Sequence, residues 1–295
     1  MILDDFDSRP GSATSLLRTI VGAHLREVGG WVSIADLITL MGAAGVSPVS
    51  TRSAVLRVKT KGLLAPQAIG ARAGYRLNPD AVPMLELGDR RIFSFRQQGD
   101  NDQWCLISYS IPETQRDARH QLRRRLGWIG CGAVSTGLWI CPSFLAGEVD
   151  GILSELGLRD SATLFITATP QTAGTLADAA ARWWDLDRLR ALHRAFLANH
   201  GGAVPEPVDG QVARISTPAV VDRPACSVSV PEPVEAFARY IAALDEWRIL
   251  PYLDPGLPPS ALPEDWPGFE SVALFGTLTA TLAGPARGYV ESVVG

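Results

Sequence analysis

Six cations and no acid lie between Ser50 and Arg76 of a chain whose net charge is −4. They are Arg52, Arg57, Lys59, Lys61, Arg72 and Arg76. Lys59 and Lys61 are the only lysines among the 27 basic residues, and both fall in the stretch SPVSTRSAVLRVKTK. A guanidinium can grip a phosphate with two parallel hydrogen bonds, and an ammonium meets it as a compact point charge. Such a patch on an acidic protein points to a polyanion as partner. The charge is regional: residues 1–92 hold 11 basic and 8 acidic side chains, residues 93–295 hold 16 and 23.

A helix is needed to space these groups. Ser47 reads as its N-cap, Pro48 as its first residue and Gly62 as its end. At 100° per residue, Thr51, Val55 and Val58 share the side that faces a core. Arg52 and Lys59 then lie on one flank, Arg57 and Lys61 on the other. Ser53, Leu56 and Thr60 point outward between them. A DNA major groove about 12 Å wide accepts such a helix, with cations on the phosphate rims and small side chains at base edges.

The neighbouring elements fit that use. Leu16, Leu17, Ile20, Val21, His24, Leu25 and Val28 recur at helical steps until Gly29-Gly30. Trp31-Val32 suits a short strand. Ser33 and Asp36 suit a capping pair for a second helix, which turns at Gly42 to Gly45. After the basic helix, Leu63-Leu64 starts a strand, Gly70 to Gly74 turns it, and Tyr75-Arg76-Leu77 returns. Arg72 is expected at the hairpin tip. Residues 12–92 thus read as a winged helix-turn-helix. Its expected DNA contacts are Ser50, Arg52, Ser53, Leu56, Arg57, Lys59, Lys61, Arg72 and Arg76.

Residues 100–170 read as β-α-β-β-α-β. Trp104 to Ile111 is a strand, Glu113 to Leu126 a helix, Cys131 to Ser135 and Leu138 to Cys141 two strands. A helix near Leu145 to Leu156 and a strand from Ala162 to Thr167 complete a ferredoxin-like sandwich. The helix carrying Arg116, Arg119, Arg123, Arg124 and Arg125 reads as solvated or paired rather than as a second nucleic-acid surface. The last third, 171–200 with 234–295, is mostly helical: Thr172 to Trp183, Leu186 to Asn199, Val234 to Leu250 and Phe269 to about Tyr289. Residues 201–233 read as a loop or linker. The fold class is therefore α+β.

Catalytic signatures are missing. There is no G-x-S-x-G, H-E-x-x-H or P-loop. Gly130 to Ser135 approaches a dinucleotide fingerprint, but it opens a strand rather than a helix. The histidines His24, His120, His193 and His200 are scattered, and His24 sits in an apolar stripe. Cys105, Cys131, Cys141 and Cys226 form no C-x-x-C and read as buried thiols in a reducing cytoplasm. No apolar run is long enough for a membrane span, and the acidic start MILDDFDSRP lacks the pattern of a signal peptide. No cofactor or metal is expected. The alternatives are a metal-dependent nuclease or thioester-processing enzyme, and a winged-helix scaffold that binds protein.

Four stretches, in order, resemble the PaaX-type transcriptional repressors. They are RSAVLRVKTKGLL, WCLISYSIPETQRDARHQLRRRLGWIGCGAVSTGLWICP, WDLDRLRALHRAFLANH and LDPGLPPSALPEDWPG. The likeness spans roughly residues 12–200 and 234–290. It implies a homodimer that uses its middle domain to dimerise and binds a palindromic operator. It also implies release by a small effector, an aryl-acyl-CoA or related aromatic catabolite. The effector is expected to bind between the middle and C-terminal domains. Trp247, Arg248 and Asp254 are the expected ligand contacts, for stacking and for phosphate or carboxylate pairing. The middle domain also resembles a small CRISPR-adaptation nuclease-like fold. There a metal-holding aspartate is expected near the end of the first strand, where this chain has Ser110.

Overall fold

The computed structural model describes residues 9–203 and 231–295. The start of the chain, most of the expected linker 201–233 and Cys226 lie outside the described residues.

Helix α1 (Ala13–Ile20) is capped by Ser12, whose side chain accepts from the Ser15 amide. The expected single helix to Val28 does not form. The chain widens into a π-helical turn, Val21–Leu25, which buries Val21, His24 and Leu25 together. Gly29 and Gly30, at φ 87° and 76°, then reverse the chain. Strand β1 (Trp31–Ser33) leads to helix α2 (Ile34–Ala43), which opens on a complete Ser33–Asp36 capping box. Helix α3 (Pro48–Thr60) begins at the Ser47 cap, with proline in its first turn. Strands β2 (Leu64–Ile69) and β3 (Arg72–Leu77) form a hairpin, and the antiparallel sheet order is β1-β3-β2. Helix α4 (Val82–Phe93) follows. It was not among the expected elements, and none of its side chains is fully buried.

The middle segment runs β4 (Trp104–Tyr109), α5 (Arg116–Trp128), β5 (Gly132–Ser135), β6 (Leu138–Pro142), α6 (Ala146–Glu155) and β7 (Ala162–Thr167). Its antiparallel sheet has the order β5-β6-β4-β7. One face carries Cys105, Ile107, Tyr109, Trp139 and Cys141, packed on Leu122, Leu126, Val149 and Leu153 of α5 and α6. The opposite face presents Trp104 and Ile140, and it too is covered.

The cover comes from the last third. Helix α7 (Leu176–Trp183) starts four residues later than expected, since Thr175 and Asp178 form its capping box. Trp184, which ends it, donates its indole N–H to the Gly130 carbonyl at 2.8 Å. Gly132 lies so close to that ring that a Cβ there would meet it at 2.6 Å. Helix α8 (Leu186–His200), helix α9 (Pro233–Trp247), the short α10 (Leu250–Leu253) and the long α11 (Gly268–Val294) complete the chain. Trp184, Leu189, Leu257 and Trp266 close over the sheet.

The N-terminal unit and the helical C-terminus do not keep separate cores. One buried cluster joins Leu17, Ile20, Leu37, Met41 and Val58 to Phe196, Phe237, Ile241, Trp247, Phe275 and Leu282. Burying each such large side chain stabilises the fold by about 1.5–3 kcal/mol. The two regions assigned separately in the sequence are thus one packed body.

Candidate nucleic-acid interface

Helix α3 has two faces. Thr51, Ala54, Val55 and Val58 are buried beneath it. Val49, Ser50, Arg52, Ser53, Leu56, Arg57, Lys59, Thr60 and Lys61 are exposed. Among the described residues, no carboxylate pairs with Arg52, Arg57 or Lys59. Arg57 makes one long contact, 3.4 Å to the Thr14 hydroxyl on α1. Ser47 accepts from the Ser50 amide at 3.3 Å and fixes the helix start. Sequence reasoning missed two apolar groups on this surface, Val49 at 73% and Ile69 at 51% exposure. An apolar residue outside the core-facing period was the available signal.

The hairpin is braced from behind. Trp31 of β1 donates its indole N–H to the Gln67 carbonyl at 3.0 Å. A Cβ on Gly74 would strike that ring at 2.5 Å, so only glycine fits there. Arg72 pairs with Ile69 across the turn, beside the tip as expected. Its guanidinium, however, turns back to Asp36 at 2.7 Å and lies 5.5 Å from the centre of the Trp31 ring. The acid-free stretch of sequence thus acquires an acid in space, from α2. Arg76 stays exposed on β3.

A buried carboxylate ties α1 to α9. Asp245 is 1% exposed. It accepts from the Ser15 hydroxyl at 2.7 Å, the Thr19 hydroxyl at 2.6 Å, the Gly11 amide at 2.8 Å and Arg248 Nε at 3.2 Å. Arg248 also donates to the Ser15 hydroxyl at 2.9 Å. With so many donors the charge needs no solvent.

The three expected ligand contacts do not converge. Trp247 is a core residue: it stacks on Phe275 at 4.6 Å, packs against Phe196 at 5.3 Å and donates to the Ile92 carbonyl at 3.0 Å. The residue is 1% exposed. Asp254 is buried, bound to His193 Nε2 at 2.9 Å and to the Gly256 amide at 2.8 Å, and it holds the proline-rich loop on α8. Arg248 lines an open cleft between α1, α4 and α9. A different cleft, of about 810 Å³, lies between α4, α6 and α10, with Arg90, Arg91, Arg96 and Asp254 in its walls.

The other chemical groups are held in structural settings. Cys105 faces Cys141 across β4 and β6. That contact and burial push the Cys105 thiol far above its usual range, which makes it a poor nucleophile. Burial, with the nearby Arg287 charge, lowers His24 to about 4. Ser110 is exposed just after β4, and its amide donates to the Ser161 carbonyl. No group of three or more His, Cys, Asp or Glu among the described residues is placed to hold a metal ion. No single helix among them is long and apolar enough to cross a membrane.

Three family models match the chain in succession. The PaaX-like protein model covers residues 12–81, the PaaX protein central Cas2-like domain 97–179, and the PaaX-like protein C-terminal domain 184–292. The chain is 24% identical over 285 residues to the transcriptional repressor PaaX of Escherichia coli (strain K12), covering 96% of this chain and 84% of that one. Its fold is similar to that of an uncharacterized protein from Mycobacterium tuberculosis, with a TM-score of 0.56, 20% identity, and coverage of 92% and 97% of the two chains.

Proposed function

Since the chain belongs to the PaaX family, we propose that it is a transcriptional repressor that grips operator DNA as a homodimer and lets go when a small effector binds. The observation that carries this reading is α3. It turns apolar residues inward and Arg52, Arg57 and Lys59 outward with no carboxylate partner among the described residues. We read α1 to β3 as a winged helix-turn-helix, with α3 in the major groove and the β2–β3 hairpin as its wing. Arg52, Arg57, Lys59, Lys61, Arg72 and Arg76 neutralise phosphates, while Ser50, Ser53 and Leu56 meet base edges.

The middle segment is read as a ferredoxin-like dimerisation domain. Its β-α-β-β-α-β order and its antiparallel sheet support the reading. Two copies would place two α3 helices on a palindrome, with the dimer axis setting half-site spacing. The reading is non-catalytic, since Ser110 is a poor ligand for a hard cation where the resemblance expects an aspartate. The effector is read as an aryl-acyl-CoA or related aromatic catabolite. The site of action is the cytoplasm.

Footprinting on the chain's own upstream DNA tests this. A protected palindrome, with affinity falling steeply as salt rises, is the expected result. Protection of no sequence, or binding insensitive to salt, would refute the repressor.

A further inference from the structure

On a solvated helix the charged side chains lie opposite the buried stripe. Helix α5 follows that rule: Leu122 and Leu126 are buried, and Asp117 and Arg124, both exposed, stand about half a turn away. Helix α3 does not. Its buried side is Thr51, Ala54, Val55 and Val58. At 100° per residue the line opposite that side is Val49, Ser53, Leu56 and Thr60. All four are exposed and none is charged. Arg52 and Lys59 border the line on one flank, Arg57 and Lys61 on the other.

Two members of this line are apolar. Val49 is 73% and Leu56 59% exposed. They are seven residues apart, so their side chains stand about 10 Å apart along the helix. The other two members are hydroxyls. Thr60 donates its proton to the Leu56 carbonyl at 2.9 Å, which leaves its oxygen only to accept. A hydroxyl pairs with more than one base. The side chains that hold one purine with two bonds, arginine for guanine and asparagine or glutamine for adenine, are absent from the line. What remains able to discriminate is the branched apolar pair. In the major groove the apolar group that a base offers is the 5-methyl of thymine.

We propose that Val49 and Leu56 read two thymine methyl groups in each operator half-site, while the cations beside them hold phosphates without choosing bases. The inference deepens the repressor reading and rests on it. Duplex DNA is the occupant that fits both parts of the surface. An uncharged ridge between two rows of cations matches a groove floor between two phosphate rails. At about 3.4 Å per base pair, a separation of about 10 Å places the two thymines about three base pairs apart. Burying one methyl group changes affinity about fourfold, so two contacts per protomer give a discrimination that a gel shift resolves.

The footprinted operator, resynthesised with deoxyuridine for every thymidine, differs from the natural duplex only in its 5-methyl groups. Gel-shift titration of the full chain is expected to show at least about tenfold weaker binding of the uracil duplex. Single replacements should locate the loss at two positions about three base pairs apart in each half-site. The double variant Val49→Ala, Leu56→Ala should bind the natural operator more weakly and tell the two duplexes apart by less than about twofold. Both residues are exposed, so its unfolding midpoint should match that of wild type. Replacing guanine by 7-deazaguanine, which lacks the N7 acceptor, should weaken binding by less than about threefold. Three results would overturn the assignment and leave the repressor standing: binding indifferent to the methyl groups, discrimination retained by the double variant, or a larger loss with 7-deazaguanine than with uracil. Wild-type protein that protects no sequence removes the repressor reading and this assignment together.

Discussion

Helices α3 and α5 are each 13 residues long and basic, yet they meet their surroundings in opposite ways. Along α5, Arg119 pairs with Glu113 at 2.8 Å and Arg125 with Glu155 at 2.7 Å, while Arg124 lies 4.8 Å from the centre of the Trp128 ring. Along α3, Arg52, Arg57 and Lys59 meet no carboxylate among the described residues. Counting charges would rank α5 higher, with five arginines to three cations within α3. Neutralisation ranks them the other way. A cation already paired has spent its field locally, whereas an unpaired array keeps a potential that a polyanion can use.

The largest test exchanges the two. Replacing Arg52, Arg57, Lys59 and Lys61 by alanine should weaken operator binding by at least about a thousandfold and flatten its salt dependence by about four phosphate contacts per protomer. Replacing Arg116, Arg119, Arg123 and Arg124 should change affinity by less than about threefold. Equal losses in gel-shift titrations would erase the distinction. Neither set should shift the unfolding midpoint much, because surface substitutions away from packed sites are nearly neutral.

A helix can hold cations outward only if something grips the scaffold from behind. Asp245 does this for α1, which packs on α3. Asp245→Ala leaves Arg248, two hydroxyls and one amide without their acceptor. It should cost about 3–4 kcal/mol, read as a lower urea midpoint. The α3 substitutions, in contrast, should cost DNA affinity and spare stability. If Asp245→Ala unfolds no more easily than wild type, the inward anchor is not energetic, and the contrast between the helix's two sides loses its basis.

Much of this was legible, and what was not is non-local. The α3 helix was readable because Ser47, Pro48 and Gly62 act through backbone geometry within a few residues. Its exposed face followed from period alone. The link from Asp245 to Ser15 spans 230 positions, and Asp36 reaches Arg72 across 36, so no local pattern carries either. The burial of Trp247 was missed for the same reason. Phe237, Ile241, Leu244 and Trp247 form one stripe, and the partners that bury its tryptophan, Phe196 and Phe275, lie on α8 and α11. The shared core of the two ends was invisible because each end has a plausible apolar face of its own.

His24 sharpens the contrast through pH. Burial holds its native imidazole neutral down to about pH 4, while an unfolded imidazole takes a proton near 6.5. The unfolded chain therefore binds more protons between those values, and stability falls as pH drops through that window. Arg26, Glu27, Asp89, Tyr240 and Arg287 line the chamber around it. The penalty reaches about 3 kcal/mol near pH 4. His24→Phe should remove that part of the slope in urea titrations across the window. An unchanged slope would mean that the ring is not held neutral. The α3 array, carrying no group that titrates there, should leave the same slope untouched when replaced.

The smallest effect tests the wing, where one residue belongs to both classes. Arg72 is half-exposed like the α3 cations, yet paired like those of α5. Asp36→Ala removes that partner and also the α2 capping box. Loss of the cap and the ion pair together should cost about 1–2 kcal/mol of stability. DNA binding should move the other way, because a released guanidinium at the wing regains its field. The salt dependence should steepen by about one phosphate contact per protomer. Stability and affinity are thus expected to change in opposite directions from a single substitution. If both fell together, pairing with Asp36 would be positioning Arg72 for DNA rather than withholding it, and neutralisation alone would not separate the two kinds of basic surface.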